Sequence, residues 1–209
     1  MHPQKTLRFS SVSVLIALLV TFAAAAAYGQ DRPQLPGSPS YEVSLQVIVG
    51  SDDAGARAEL PKSLAGVMSQ LRSSYSFSSY RIANTYLGRI GNTGTVEYKS
   101  VTNIFGEDSS GDTPSFLEWS LGGSRYPDVS GTGNTFLAQP FKFGARIPIR
   151  FAGPKDEAGR SPSTVSYESI GLSTNRMSMH EGEPTLVGTL SLPKTTGTLF
   201  LVLTVKPVL

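Results

Sequence analysis

The chain has 209 residues, with 18 Lys plus Arg, 16 Asp plus Glu, two His and no Cys, which is room for one sizeable domain or two small ones. Without cysteine there are no disulfide staples and no thiol chemistry, so a hydrophobic core must hold the fold. Both basic residues of the first 29, Lys5 and Arg8, lie in a segment without acids, which leaves a formally neutral remainder with no Lys/Arg run; a nucleic-acid partner is therefore not expected.

Lys5 and Arg8 form a positive n-region, Val12 to Ala27 an apolar h-region, and Ala27-Tyr28-Gly29 a small-residue exit. Residues 1–29 read as an export signal, with cleavage between Gly29 and Gln30. An uncleaved anchor is the competing reading, because the apolar run is long enough to span a bilayer. No later stretch is long and apolar enough to do so as a helix. Residues 30–40, with Pro33, Pro36 and Pro39 among Gln, Gly and Ser, have the composition of an extended linker.

Residues 41–209 read as one β-rich domain, with a subdivision into 41–105 and 115–209 as the alternative. Tyr41, Val43, Leu45, Val47 and Val49 alternate with Glu42, Ser44 and Gln46, the period of a half-buried strand. Ile48 interrupts the alternation and predicts cover on both sides of the far end. Ser51 to Gly55 is a turn. Leu60, Leu64, Val67 and Leu71 then share one helical stripe behind Pro61. The Ser73 to Ser79 cluster ends that helix, and a strand over Phe77 to Leu87 completes a β-α-β opening.

From Gly88 onward, short apolar runs are punctuated by Gly, Asn, Ser and Pro. Strands are predicted over Thr95 to Phe105, Ser115 to Leu121, Thr135 to Phe143, Ala145 to Phe151, Thr164 to Leu172, Arg176 to His180, Thr185 to Leu192 and Thr198 to Lys206. Gly88 to Gly94 reads as a hairpin turn, and Gly106 to Pro114 and Gly153 to Pro162 as exposed loops. Pro140 and Pro148 lack the ladder donor and belong at edges, bulges or strand ends. The last two strands should form a hairpin with the final strand central in its sheet or paired with another subunit. The expected fold class is mainly β (α+β): an antiparallel β-sandwich or meander with one early amphipathic helix.

The reactive side chains are sparse. A zinc site draws three or four ligands from Cys, His and carboxylates, and beyond the signal His180 is the sole imidazole. A Ser-His-Asp hydrolase would need His180, yet Gly122-Gly123-Ser124-Arg125 does not complete a G-x-S-x-G elbow. His180 reads more simply as a strand end entering a turn. Carboxylates for glycoside hydrolysis would come from Asp52, Asp53, Glu107, Asp108, Asp112, Glu118, Asp156, Glu157, Glu181 and Glu183; most sit in loops where they stay solvated. Glu118, beside Trp119, reads as an outward-facing strand residue. Asp108 to Asp112 lacks the spacing of a calcium loop, and Gly88 to Gly94 lacks the ending of a phosphate loop. Tyr75, Phe77, Tyr80 and Tyr86 fit core packing better than a stacking surface. No catalytic, cofactor-binding or metal residue is assigned, and no cofactor is expected.

Glu181-Gly182-Glu183-Pro184-Thr185-Leu186-Val187-Gly188-Thr189-Leu190, followed by Thr198 to Pro207, resembles the turn, strand and Thr-Pro-ended strand of secretin-like β domains of Gram-negative envelopes. Leu60 to Ile82, helix then strand, is similar to the small βαββ modules that precede them. The chain is much shorter than a pore-forming secretin, so the resemblance implies an accessory or assembly component. The leading expectation is a non-enzymatic exported protein, periplasmic or at the cell surface, acting through a protein partner or self-association. A carbohydrate-binding or hydrolytic module with Trp119, Tyr126 and Glu118 flanking a groove is the second reading, and a surface-filament subunit with an unpaired terminal strand the third.

Overall fold

A computed structural model describes residues 40–52, 60–105, 113–126, 134–153, 163–192 and 197–208. The chain divides into two units, Met1–Ser38 and Pro39–Leu209, and the described residues all belong to the second. The signal with its Gly29/Gln30 cleavage site, the linker to residue 39, the turn after Asp52 and most of the loops before Pro114 and Pro162 lie outside them.

Among the described residues, nine strands build two antiparallel sheets. β1 (Ser40–Ser51), β2 (Ser79–Gly91), β8 (Thr185–Ser191) and β9 (Thr198–Val208) form a four-stranded sheet in the order β2-β1-β9-β8. β3 (Thr95–Thr102), β4 (Ser115–Tyr126), β5 (Thr135–Ala152) and β6 (Ser163–Thr174) form a meander, and β7 (Met177–His180) joins it along β5. The mainly β sandwich expected from the strand rhythm is the observed fold. Strands from both 41–105 and 115–209 share the first sheet, because β9 lies between β1 and β8.

Between the sheets lies the main core. Tyr41, Val43, Leu45 and Val47 of β1 and Leu199, Leu201, Leu203 and Val205 of β9 meet Leu117, Trp119 and Leu121 of β4 and Phe136, Phe141 and Phe143 of β5. Each set is spaced by two residues, so one face of each strand is buried. Ile48, Phe200 and Val202 point out of the other side of the four-stranded sheet. There the helix α1 (Ala65–Ser74), entered through a 3-10 turn at Lys62–Leu64, covers them with Leu64, Val67, Met68 and Leu71. No side chain caps the N-terminal end of this helix, while at its C-terminal end the Tyr80 hydroxyl lies 3.0 Å from the Tyr75 carbonyl and 3.4 Å from that of Leu71; a helix this short is marginal alone, and burial of its apolar stripe holds it. The cover predicted from Ile48 is this helix.

Three features differ from the sequence reading. The turn at Gly91 to Gly94, closed by a Gly94 N–H bond to the Gly91 carbonyl at 3.0 Å, joins β2 to β3 across the two sheets instead of closing a hairpin. Its location follows from its outer contacts: the Gly123 N–H donates to the Gly94 carbonyl at 3.3 Å and the Arg125 N–H to Asn92 Oδ1 at 3.2 Å. The two strands predicted on either side of Gly144 are one, because Gly144 is paired to Glu118 on one side and Gly171 on the other, and a ladder on both edges carries the strand through a glycine. Thr95 to Phe105 ends as a strand at Thr102.

The prolines sit as their missing donors require. Pro140, after the cis Gln139-Pro140 bond, falls at the register shift between β4 and β5 and where β6 gives way to β7 along β5. Pro148 lies past the last β4 pair, Phe116 with Arg146, and keeps only Tyr167 of β6 opposite it. β8 and β9 form the predicted hairpin, and β9 is central, paired to β1 and β8.

Candidate functional site

The outward side chains of the five-stranded sheet form rows across its strands. Lys99, Glu118, Gly144 and Gly171 stand in one row; Glu97, Ser120, Lys142 and Ser173 flank it on one side, and Val101, Phe116, Arg146 and Ser169 on the other. The two glycines leave a floor without side chains over the centre of the sheet. The hollow toward Lys142 encloses about 710 Å³ and continues past Gly144 to Arg146 and Phe116, so the groove runs along β5.

The glycines have different causes. A Cβ on Gly171 would lie 2.6 Å from the Phe143 carbonyl oxygen, a backbone atom that cannot step aside. A Cβ on Gly144 would meet the Glu118 side chain at 3.6 to 3.7 Å, ordinary contact. Packing therefore demands glycine at Gly171 and not at Gly144, although strand interiors disfavour glycine. The opening over Gly144 is space that the fold does not need.

The walls carry charge and apolar surface. Lys99 Nζ and a Glu118 carboxylate oxygen are 3.7 Å apart with both side chains mostly exposed, an ion pair of small energy. The Arg146 guanidinium lies 5.2 Å from the centroid of the Phe116 ring, and that ring is 5.9 Å from Tyr167 at a tilt of 49°. Tyr167 donates its hydroxyl to the Pro114 carbonyl at 3.1 Å. Val101, Phe116 and Tyr167 remain 60%, 36% and 42% exposed, a concentration of apolar surface where no described element covers the sheet.

The residues singled out from the sequence do not converge. Glu118 faces outward as expected, but Trp119, the next residue, points into the core and is stacked on Tyr98 at 6.3 Å. Tyr126 is exposed at the far end of β4 opposite Thr135. The Glu118 and Trp119 side chains thus point to opposite faces of the sheet, because successive strand residues alternate, and Tyr126 lies away from both. His180 is exposed at the end of β7, entering a turn whose Gly182 has φ +83°, a left-handed conformation suited to glycine. Asp52 accepts the Ser78 N–H at 3.0 Å and closes the start of β2. Tyr75, Phe77 and Tyr80 pack around Phe200, and Tyr86 against Tyr98, as core. Asp53, Glu107, Asp108, Asp112, Asp156 and Glu157 lie outside the described residues. Glu183 is exposed.

Glu181 corrects the solvated-loop expectation. Its side chain is 6% exposed; it accepts the Tyr41 hydroxyl at 3.0 Å and lies 3.5 Å from Arg125 Nε. The Glu181 N–H also donates to the Asn134 carbonyl and the Gly182 N–H to the Val205 carbonyl, so this turn fastens β7 of one sheet to β9 of the other. The Tyr41 hydroxyl is pushed up to about 12, by burial first, then by the Glu181 hydrogen bond and charge, against the lowering effect of Arg125. Nothing local marks Glu181: Tyr41 is 140 residues away. The cluster is a structural clasp, since its carboxylate is already satisfied by a hydroxyl and a guanidinium.

Among the described residues no three His, Asp or Glu side chains gather closely enough to hold a metal ion, and no helix is long and apolar enough to cross a membrane. Comparison with known proteins finds no matching family model, no matching curated protein and no matching solved structure. The groove over Gly144 is therefore read from its own chemistry: serine hydroxyls, the cations Lys142 and Arg146, and the exposed Phe116 ring.

Proposed function

We propose that this chain is a non-enzymatic, exported envelope protein that works through protein contacts made by the outer face of its five-stranded sheet. The observation that carries this reading is the open hollow over Gly144, a glycine the packing does not require, bordered by Phe116 and Val101. The export-signal pattern of residues 1–29 and the resemblance of Glu181 to Leu190 and Thr198 to Pro207 to secretin-like β domains support an envelope setting, as an accessory or assembly component. The filament reading called for an unpaired terminal strand, whereas β9 has a neighbour on each side, which favours contact through a face.

The test is self-association and partner retention of the purified protein against Gly144→Phe, whose ring would occupy the hollow. A homo-oligomer or a defined envelope partner kept by the parent and lost by a folded Gly144→Phe is the expected result. A monomer with no partner, or retention unchanged by the variant, would remove the reading.

A further inference from the structure

Resting on that protein-contact reading, we propose that the groove receives an extended acidic segment of the partner, with carboxylates on Lys142 and Arg146 and an apolar side chain in the hollow over Gly144. In the sequence the cations of β5 look dispersed. In the strand, Lys142, Arg146 and Arg150 fall on one face at every fourth residue, roughly 13 Å apart. Leaving aside Arg150, which bonds Thr113, Lys99, Lys142 and Arg146 outnumber the acids of that face, Glu97 and Glu118, of which Glu118 is already paired to Lys99. Among the described residues neither Lys142 nor Arg146 has an ion-pair partner, and both are exposed. Their charges stand at the two ends of the side-chain-free floor.

An extended chain laid along β5 has the matching period. Side chains at its first, third and fifth positions face the sheet, so two acids four residues apart reach Lys142 and Arg146 while the residue between them enters the space above Gly144, beside the Phe116 ring. Ser120, Ser169 and Ser173 along the rim can donate to its backbone. The backbones of β4 and β5 are paired on both sides here, so recognition is by side chains and not by strand addition. An acidic sugar polymer fits less well: stacking needs an open, flat ring face, and the Phe116 ring carries Arg146 within 5.2 Å and a tilted Tyr167 as neighbour.

The probe is a fluorescent Glu-Ser-Leu-Ser-Glu peptide titrated into the full protein by anisotropy, beside its Gln-for-Glu counterpart and polygalacturonate. The Glu peptide should bind about tenfold more tightly than the Gln peptide, with each of Lys142→Gln and Arg146→Gln weakening it roughly three- to tenfold and salt at about 0.3 M weakening it further. Gly144→Phe should abolish it, with circular dichroism and melting reporting that each variant is folded. Equal affinity for the two peptides, insensitivity to both charge variants, or binding of the polymer without the peptide would overturn the inference. If peptide binding fails while partner retention still depends on Gly144, only the acidic-segment inference falls; if retention is also indifferent to Gly144→Phe, the underlying protein-contact reading falls with it.

Discussion

The two sheets treat their outer faces differently. Along β1 and β9 of the four-stranded sheet, outward residues are polar where no helix lies over them (Glu42, Ser44, Gln46, Thr204, Lys206) and turn apolar at Ile48, Val202 and Phe200, where α1 covers them. Polarity there tracks cover, as burial energetics require: removing a large apolar side chain from water contributes about 1.5 to 3 kcal/mol. Leu87 of β2, opposite Ser44 and 67% exposed, is the exception on that sheet; on the five-stranded sheet the exceptions gather, since Phe116, Val101 and Tyr167 stand exposed with no described element above them. The lesson is that the same strand period places a covered apolar patch on the outer face of one sheet and an uncovered one on the outer face of the other.

The sharpest way to break this comparison is to truncate one ring on each face. Phe200 is fully buried among Tyr75, Phe77 and Tyr80, so Phe200→Ala should lower the unfolding free energy by about 3 to 5 kcal/mol in urea titration. A cost near that of a surface change would mean that α1 does not seal its sheet. The clasp between the sheets comes next. Tyr41→Phe leaves the buried Glu181 carboxylate short of a donor, and a loss of about 1 to 3 kcal/mol is expected.

Tyr41 also sets an alkaline limit. The native state holds its proton more tightly than the unfolded chain, so this stabilisation is complete below pH 10.0, the ordinary value, and fades as pH rises toward about 12. Melting curves across that window should show a fall that is shallower in Tyr41→Phe.

Smaller effects belong to the open face. Phe116→Ala should cost less than about 1 kcal/mol in stability, because surface substitutions usually stay within that range; a loss comparable to Phe200→Ala would show that the ring serves the core. Gly144→Ala should be neutral or raise stability by about 0.4 to 1 kcal/mol, through lower entropy of the unfolded chain at a site where a Cβ fits. Gly171→Ala, tested beside it, should destabilise because of the Phe143 carbonyl. If both glycines respond alike, the hollow is a packing necessity and the comparison loses its meaning.

Much of the architecture is legible from short-range pattern. Tyr41 to Val49 alternates because one face is buried, Ile48 signals cover on the other, Leu60 to Leu71 forms a helical stripe, and the runs after Thr185 and Thr198 specify a hairpin with a buried second strand. These are local facts, since the period of apolar residues reports which way each side chain faces. The groove was less visible. Lys142, Arg146 and Arg150 look like scattered charges until β5 is one strand, and Gly144 looks like a breaker until Glu118 and Gly171 are known to flank it.

What the sequence determined by itself was the type of each element and the direction its side chains face, because both follow from period and turn chemistry within a few residues. Which strands became neighbours depended on the assembled fold: that Gly91 to Gly94 crosses between sheets, that Glu181 closes on Tyr41 and Arg125, and that Lys142 and Arg146 border the floor at Gly144. Pairing and register are long-range choices, set by how complementary faces fill a shared core, and no local stretch of chain contains the partner it will meet.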